Sequence, residues 1–162
     1  MERAIDLFLI YLKTERGYSE HTLINYSADL GQFTQFIAPV LEKPVEAVRP
    51  GQITHLVIRH YLGHLQKLGR SRATIARKLA VLRTFYKFLL RRGLVDRNPL
   101  ERVSTPKQEK RLPSFLSENE AAKLVEAPDP VSLLGIRDLA ILEVIYGSVL
   151  RVSELVGLNL VH

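Results

Sequence analysis

The sequence predicts a mainly α-helical protein: a four-helix domain followed by the helical beginning of a second domain. Three observations carry this reading. Apolar residues recur at the three- and four-residue spacing of helix faces, not in the alternation of strands. Ser or Thr stands at the head of several of these stripes, where its hydroxyl can accept a free N–H of the first turn, and Gly follows their ends. The chain has 162 residues, 46% hydrophobic and 25% charged, a globular composition long enough for one domain or one and a half.

The first helix is expected from about Glu2 to Arg16, with Ile5, Phe8, Leu9 and Leu12 as its buried stripe and Gly17 breaking it. Ser19 caps a second helix carrying Leu23, Tyr26, Leu30, Phe33 and Ile37, and its exposed start bears His21, Thr22 and Asn25. Pro39 and Pro44 are expected to bracket a loop. Thr54 caps a third helix with Leu56, Ile58, Tyr61, Leu62 and Leu65, ending near Gly69. Ser71 caps the fourth, in which Ile75, Leu79, Leu82, Tyr86 and Leu89 face a core and Gly93 ends the run in the left-handed conformation. Residues 1–104 thus form one four-helix domain, a size that supports its own core.

From Asn98 to Ser114 the chain reads as a linker, because Pro99, Pro106 and Pro113 each remove a backbone donor and favour extended chain. The domain boundary is placed across residues 105–116. Ser117-Glu118-Asn119-Glu120 is a capping-box signature opening a short helix with Ala121, Leu124 and Val125. Leu133 to Tyr146 is apolar nearly all round, interrupted by Arg137, Asp138 and Glu143; such a helix normally lies inside a larger body. Few residues follow it, so the second domain, 117–162, is expected to be incomplete and to expose apolar surface.

Charge points to the partner. Arg72, Arg77, Arg83, Lys87 and Arg91 share an arc of the fourth helix, with small Ala73, Ala76 and Ala80 between them. From Ala47 to Val95 there is no Asp or Glu, against eleven Lys or Arg and three His. A solvated helix ordinarily mixes signs to gain pairs one turn apart; one without acids repels itself and is explained by a polyanion. Double-stranded DNA is therefore the expected partner, with Arg70, Ser71, Thr74 and Lys78 joining the arc and Lys107, Lys110 and Arg111 making the linker basic. Residues 1–104 carry seventeen basic and nine acidic side chains and residues 105–162 carry six and eight, so binding belongs mainly to the first part.

Other classes are disfavoured. The chain has no Cys, which excludes disulfides and thiolate zinc sites. His60 and His64 stand one helical turn apart but lack a third ligand nearby, so no metal is expected. No apolar run approaches the ~20 residues that span a bilayer, so no membrane partner is expected. The opening Met-Glu-Arg-Ala-Ile-Asp is amphipathic and unlike a signal peptide, so the expected compartment is the cytoplasm.

Residues 135–158, Gly-Ile-Arg-Asp-Leu-Ala-Ile-Leu-Glu-Val-Ile-Tyr-Gly-Ser-Val-Leu-Arg-Val-Ser-Glu-Leu-Val-Gly-Leu, closely resemble the first catalytic box of the tyrosine recombinases, the phage-integrase-type enzymes, and most nearly the Xer-type (XerC/XerD-type) members that resolve chromosome dimers. Ser-Glu-His-Thr-Leu-Ile-Asn-Tyr-Ser-Ala-Asp-Leu (19–30), Thr-Ile-Ala-Arg-Lys-Leu-Ala-Val-Leu-Arg-Thr-Phe-Tyr-Lys-Phe-Leu (74–89), Asn-Pro-Leu (98–100) and Leu-Pro-Ser-Phe-Leu (112–116) resemble their SAM-like core-binding domain. The similarity runs through the whole chain.

The resemblance implies an enzyme that cuts one DNA strand with a tyrosine hydroxyl, forms a 3′-phosphotyrosyl bond, needs no cofactor and works with other recombinase subunits as a tetramer on paired sites. Arg151 matches the family's first catalytic arginine, and a guanidinium fork suits charge building on two phosphate oxygens. The plainer reading is that Arg151 pairs with Glu154; the resemblance makes Glu154 a buttress. The family's later lysine, His-x-x-Arg box, final His or Trp and nucleophilic tyrosine have no counterparts among these residues, and none of Tyr11, Tyr18, Tyr26, Tyr61, Tyr86 and Tyr146 reads as the nucleophile. The chain alone is thus expected to be inactive in cleavage; a truncated stand-alone DNA-binding module is the alternative. In the family the second and fourth helices approach the major groove, which adds His21, Thr22 and Asn25 to the expected contacts. Val149 stands where the family usually has Gly, and Gly147 is expected to supply the positive φ of the turn, leaving Val149 relaxed.

Overall fold

Caps and glycines divide the computed structural model into helices; it describes residues 1–107 and 114–159, and no strand occurs among them. The chain forms two compact units, Met1–Glu109 and Lys110–His162.

The first unit contains α1 (Glu2–Thr14), α2 (Glu20–Val40), two short 3₁₀ turns (Val45–Ala47 and Pro50–Gln52), α3 (His55–Lys67) and α4 (Arg72–Arg91). Ser19, Thr54 and Ser71 accept the N–H of Thr22, Val57 and Thr74 respectively, as their positions predict. Gly69 and Gly93 take φ of 68° and 65° after α3 and α4. That conformation lets the next N–H reach back to the helix, Arg70 to the Leu65 carbonyl at 3.1 Å and Leu94 to the Leu89 carbonyl at 2.9 Å.

The fourth helix is the centre of the unit, since it packs against α1, α2 and α3. Its stripe Ile75, Leu79, Leu82, Tyr86 and Leu89 is buried throughout, joined by Ala76, Val81, Phe85 and Phe88. Phe8 of α1 meets Phe85 and Phe88 with ring centroids 5.3 and 5.4 Å apart. On the far side of α2, Phe33 lies edge-on to Tyr61 of α3 at 5.0 Å. Outside this core, Arg92 bonds Glu15 at 2.5 Å and lies over the rings of Tyr11 and Phe88, joining the ends of α1 and α4.

Three local expectations differ from the structure. Pro39 sits in the last turn of α2 and does not open a loop. The helix ends one residue later at Val40, with the Leu41 N–H bonded to the Ile37 carbonyl at 2.9 Å, so the proline costs only one bond near a terminus. Leu56 lies on the outer side of α3 and is exposed. Residues 98–103, expected to begin the linker, belong to the core: Leu100 and Val103 are buried. Asn98 turns the chain there by accepting the Leu100 N–H at 3.0 Å.

The second unit contains α5 (Glu118–Val125), α6 (Leu133–Ser148) and α7 (Val152–Val156). The capping box forms: the Ser117 N–H donates to Glu120 at 2.8 Å, and the Ser117 hydroxyl accepts the Glu120 N–H. The Ser117 N–H, and after it the Ser117 hydroxyl, which also donates to the Glu120 carboxylate at 2.7 Å, hold that carboxyl below its usual pKa. Leu133, Leu134, Val144 and Tyr146 of α6 are exposed. The expectation for Val149 is overturned. Helical geometry continues through Gly147 and Ser148, so the left-handed residue that ends α6 is Val149 itself, with φ 55° and ψ 26°. Its N–H donates to the Ile145 carbonyl at 3.0 Å, closing the helix.

Candidate nucleic-acid interface

The basic arc of α4 divides into parts with different surroundings. Toward its C-terminal end, Arg83, Lys87 and Arg91 line a cleft with Arg16 and Tyr18 from the α1–α2 connection, and Asn98 and Glu101 close one side. Arg16, Lys87 and Arg91 are exposed. Arg83 is half-buried and holds the chain that follows α4, donating to the Val103 carbonyl and to the Thr105 hydroxyl, both at 2.5 Å.

Farther toward the N-terminus, Arg77 and Lys78 converge on Asp29 of α2. The Arg77 guanidinium forks onto both carboxylate oxygens, from Nη1 to Oδ2 and from Nη2 to Oδ1, the latter at 3.2 Å. The Lys78 ammonium donates to Oδ1 of Asp29 and to Oε1 of Gln32, each at 2.7 Å. Asp29 and Lys78 are buried, whereas the Arg77 side chain is 51% exposed. Lys78, expected among the DNA contacts, is instead an interior ion-pair member: the face it occupies is the one α4 turns toward α2.

The helix starts are also engaged. Ser71 and Thr74 share a hydroxyl hydrogen bond of 2.9 Å besides the cap, and Ser19 and Thr22 do the same at 2.9 Å. Arg70 and Arg72 are exposed beside the first pair, and His21 and Asn25 are exposed beside the second. Asn25 precedes Asp29 by one helical turn, so the expected contacts on α2 lie on the arc that leads to the Arg77 fork. His60 and His64 pack around Phe36 at 5.6 and 4.6 Å; among the described residues no group of three or more His, Asp or Glu could hold a metal. Lys107 is exposed at the end of the first described segment, and Lys110 and Arg111 lie outside the described residues.

In the second unit, Arg151 immediately precedes α7. Its N–H donates to Glu154 at 2.8 Å, and its guanidinium, 82% exposed, bonds the same carboxylate at 3.1 Å. The plain pairing that the spacing allowed is formed, with most of the fork presented to solvent.

Sequence reasoning missed two contributors. Asp29 is the one carboxylate between Glu20 and Glu42, a lone acid beside the buried Leu30, and that isolation was the available signal. Arg16 follows the first helix and joins the α4 cleft only through the packing of α1 on α4, which no local pattern encodes.

Comparison with known proteins places the chain in a family. The family described as phage integrase, N-terminal SAM-like domain, matches residues 5–93. A tyrosine recombinase XerC of Pelotomaculum thermopropionicum is 51% identical over 156 residues, covering 96% of this chain and 51% of that protein. A tyrosine recombinase XerD of Halalkalibacterium halodurans is 41% identical over 153 residues, covering 94% of this chain and 50% of that protein. The chain therefore spans about half the length of the curated relatives it matches. Among solved structures, a XerA recombinase crystal structure is similar with a TM-score of 0.50 and 26% identity, over 89% of this chain and 45% of that one. Among the described residues, no helix is long and apolar enough to cross a membrane.

Proposed function

Because the chain belongs to the phage-integrase family through its N-terminal SAM-like domain, we propose that it is the DNA-binding region of a Xer-type site-specific tyrosine recombinase, with the first unit gripping duplex DNA through α4 and the start of α2. The observation that carries this reading is the cleft in which Arg83, Lys87 and Arg91 of the acid-free α4 meet Arg16 from the α1–α2 connection, four basic side chains against the single acid Glu101. Such a surface neutralises phosphates and releases their counterions, which supplies affinity independent of sequence. Exposed Arg70, Arg72, Asn25 and His21 stand at the two helix starts as candidates for base and phosphate contacts. Exposed Lys107, followed in the sequence by Lys110 and Arg111, adds further basic candidates for phosphate contact.

In the whole protein, the reading assigns strand cleavage and rejoining through a 3′-phosphotyrosyl intermediate, within a tetramer on paired sites, in the service of chromosome dimer resolution in the cytoplasm. Arg151 is the proposed catalytic arginine, its exposed guanidinium binding the non-bridging oxygens of the scissile phosphate while Glu154 steadies it. None of the six tyrosines is assigned as nucleophile. Tyr61 and Tyr86 are buried, and Tyr11, Tyr18 and Tyr26 are half-buried in aromatic contacts.

The test is binding of the 162-residue chain to duplex DNA by fluorescence anisotropy across salt concentrations. About four phosphate contacts give a slope near −3.6 in log K against log[salt]. Ala at Arg16, Lys87 and Arg91 together removes most of that slope, whereas Ala at exposed Lys13 and Lys43 leaves it in place. A flat salt dependence overturns the reading.

A further inference from the structure

We propose that Asp29 is a positioning residue for DNA binding: it holds the Arg77 guanidinium in one orientation at the surface, poised for a backbone phosphate of the bound duplex. This rests on the DNA-binding reading above and goes beyond it by assigning a role to an acid.

A carboxylate within a basic face ordinarily weakens attraction for a polyanion, because it cancels a positive charge. Asp29 is placed so that a second effect opposes this one. Its buried carboxylate is anchored from below by Lys78, whose ammonium is in turn shared with Gln32. The Lys78 bond fixes Oδ1 of the buried carboxylate, and the Arg77 fork closes on the same Oδ1 and on Oδ2. A guanidinium carries five N–H donors, and the fork uses one on each terminal nitrogen. The remaining donors lie in the same plane on a side chain that is half exposed. An unanchored surface arginine loses rotamer freedom when it binds a phosphate; here the fold has already removed much of it. The cluster as a whole keeps a charge of +1, so it remains attractive to phosphate.

The two roles of Asp29 predict opposite signs. Asp29→Asn is measured in the 162-residue chain, alone and combined with Arg77→Ala, by anisotropy against duplex DNA over a salt series, with circular dichroism to follow folding. If Asp29 positions Arg77, Asp29→Asn weakens binding about 5- to 10-fold at 0.1 M salt and lowers the salt slope by about 0.9, the value of one phosphate contact. In the Arg77→Ala background the weakening disappears and only the slight tightening from the lost negative charge remains, the mark of a residue acting through another. If Asp29 only cancels charge, Asp29→Asn tightens binding in both backgrounds, and the proposal is overturned. Asp29→Asn leaves the buried Lys78 without a carboxylate and can unfold the unit. Asp29→Glu then serves, since it preserves net charge while moving the fork by one methylene. About threefold weaker binding that vanishes in the Arg77→Ala background supports positioning, and parental binding by Asp29→Glu overturns it. Absence of salt-dependent binding by the parent chain is a different result, which removes the DNA-binding reading itself.

Discussion

The Tyr86 hydroxyl donates to the Pro50 carbonyl at 3.1 Å, tying the middle of α4 to the turn that precedes α3. Tyr61, the other deeply buried tyrosine, is bonded differently: its hydroxyl is buried with no hydrogen-bond partner among the described residues. The two hydroxyls should therefore respond oppositely to removal. Tyr86→Phe is expected to cost about 1 kcal/mol, the usual net worth of one hydrogen bond. Tyr61→Phe keeps the contacts with Phe33 and Phe36 at 5.0 and 5.2 Å and removes an unsatisfied group, so stability stays level or rises. Urea unfolding of the two variants beside the parent checks the contrast.

Burial also makes the protein sensitive to alkali. It pushes the Tyr61 hydroxyl up to about 12, with the Asp29 carboxylate adding to the shift, and burial raises Tyr86 further. An unfolded tyrosine ionises near pH 10. Below that pH both states keep the proton and stability is fully present. Above it only the unfolded state releases the proton, so stability falls by about 1.4 kcal/mol per pH unit for each tyrosine, until the folded pKa is reached. Melting curves between pH 8 and 11.5 should show a loss starting near pH 10, less steep in Tyr61→Phe.

Arg83 is expected to matter for the fold as well as for DNA. Its two bonds hold Val103 and Thr105 against α4, and hydrogen bonds from a charged donor contribute about 1.5–3 kcal/mol. Arg83→Ala should lower stability within that range and speed hydrogen exchange at the Val103 amide, which bonds the Leu100 carbonyl at 3.2 Å. Arg83→Lys should not restore it, since a compact ammonium on a single nitrogen lacks the two separated terminal nitrogens of the planar guanidinium that reach the Val103 carbonyl and the Thr105 hydroxyl.

At Val149 the chain should gain from losing a side chain. A left-handed conformation costs an L-residue about 1–2 kcal/mol, more when it is β-branched, and the extra freedom of glycine when unfolded returns about 0.5–1 kcal/mol of that. Val149 is exposed, so little burial is lost. Val149→Gly is expected to stabilise the second unit by up to about 1 kcal/mol, read as slower hydrogen exchange across α6.

The helices were legible in the sequence because periodicity and burial coincide. The α4 stripe is the clearest case, every member of it being buried. Caps were equally legible, since Ser19, Thr54, Ser71 and Ser117 act on N–H groups three residues away. What escaped depends on partners distant in the chain. Lys78 carries the same charge as its neighbours, and only Asp29, 49 residues earlier, makes its burial tolerable. Leu100 and Val103 sit among prolines and charges that argue for a linker, yet the Arg83 fork folds them back. Val149 escapes a sequence reading because the apolar run stops at Tyr146 while the helix continues through Gly147 to Ser148, past the residue best suited to a left-handed end.

The central place of α4 has a consequence for how the chain is made. It is the last of the four helices to leave the ribosome, and it touches each of the three before it. Until it emerges, α1, α2 and α3 hold apolar stripes whose common partner has not been synthesised. At roughly 5–20 residues per second, its twenty residues take about one to four seconds to appear. During that interval the nascent chain displays Phe8, Leu30, Phe33 and Ile58 without the wall that later covers them. Translation speed through Arg72–Arg91 therefore sets how long the newborn protein is open to chaperones and to mispairing with its neighbours on the same messenger.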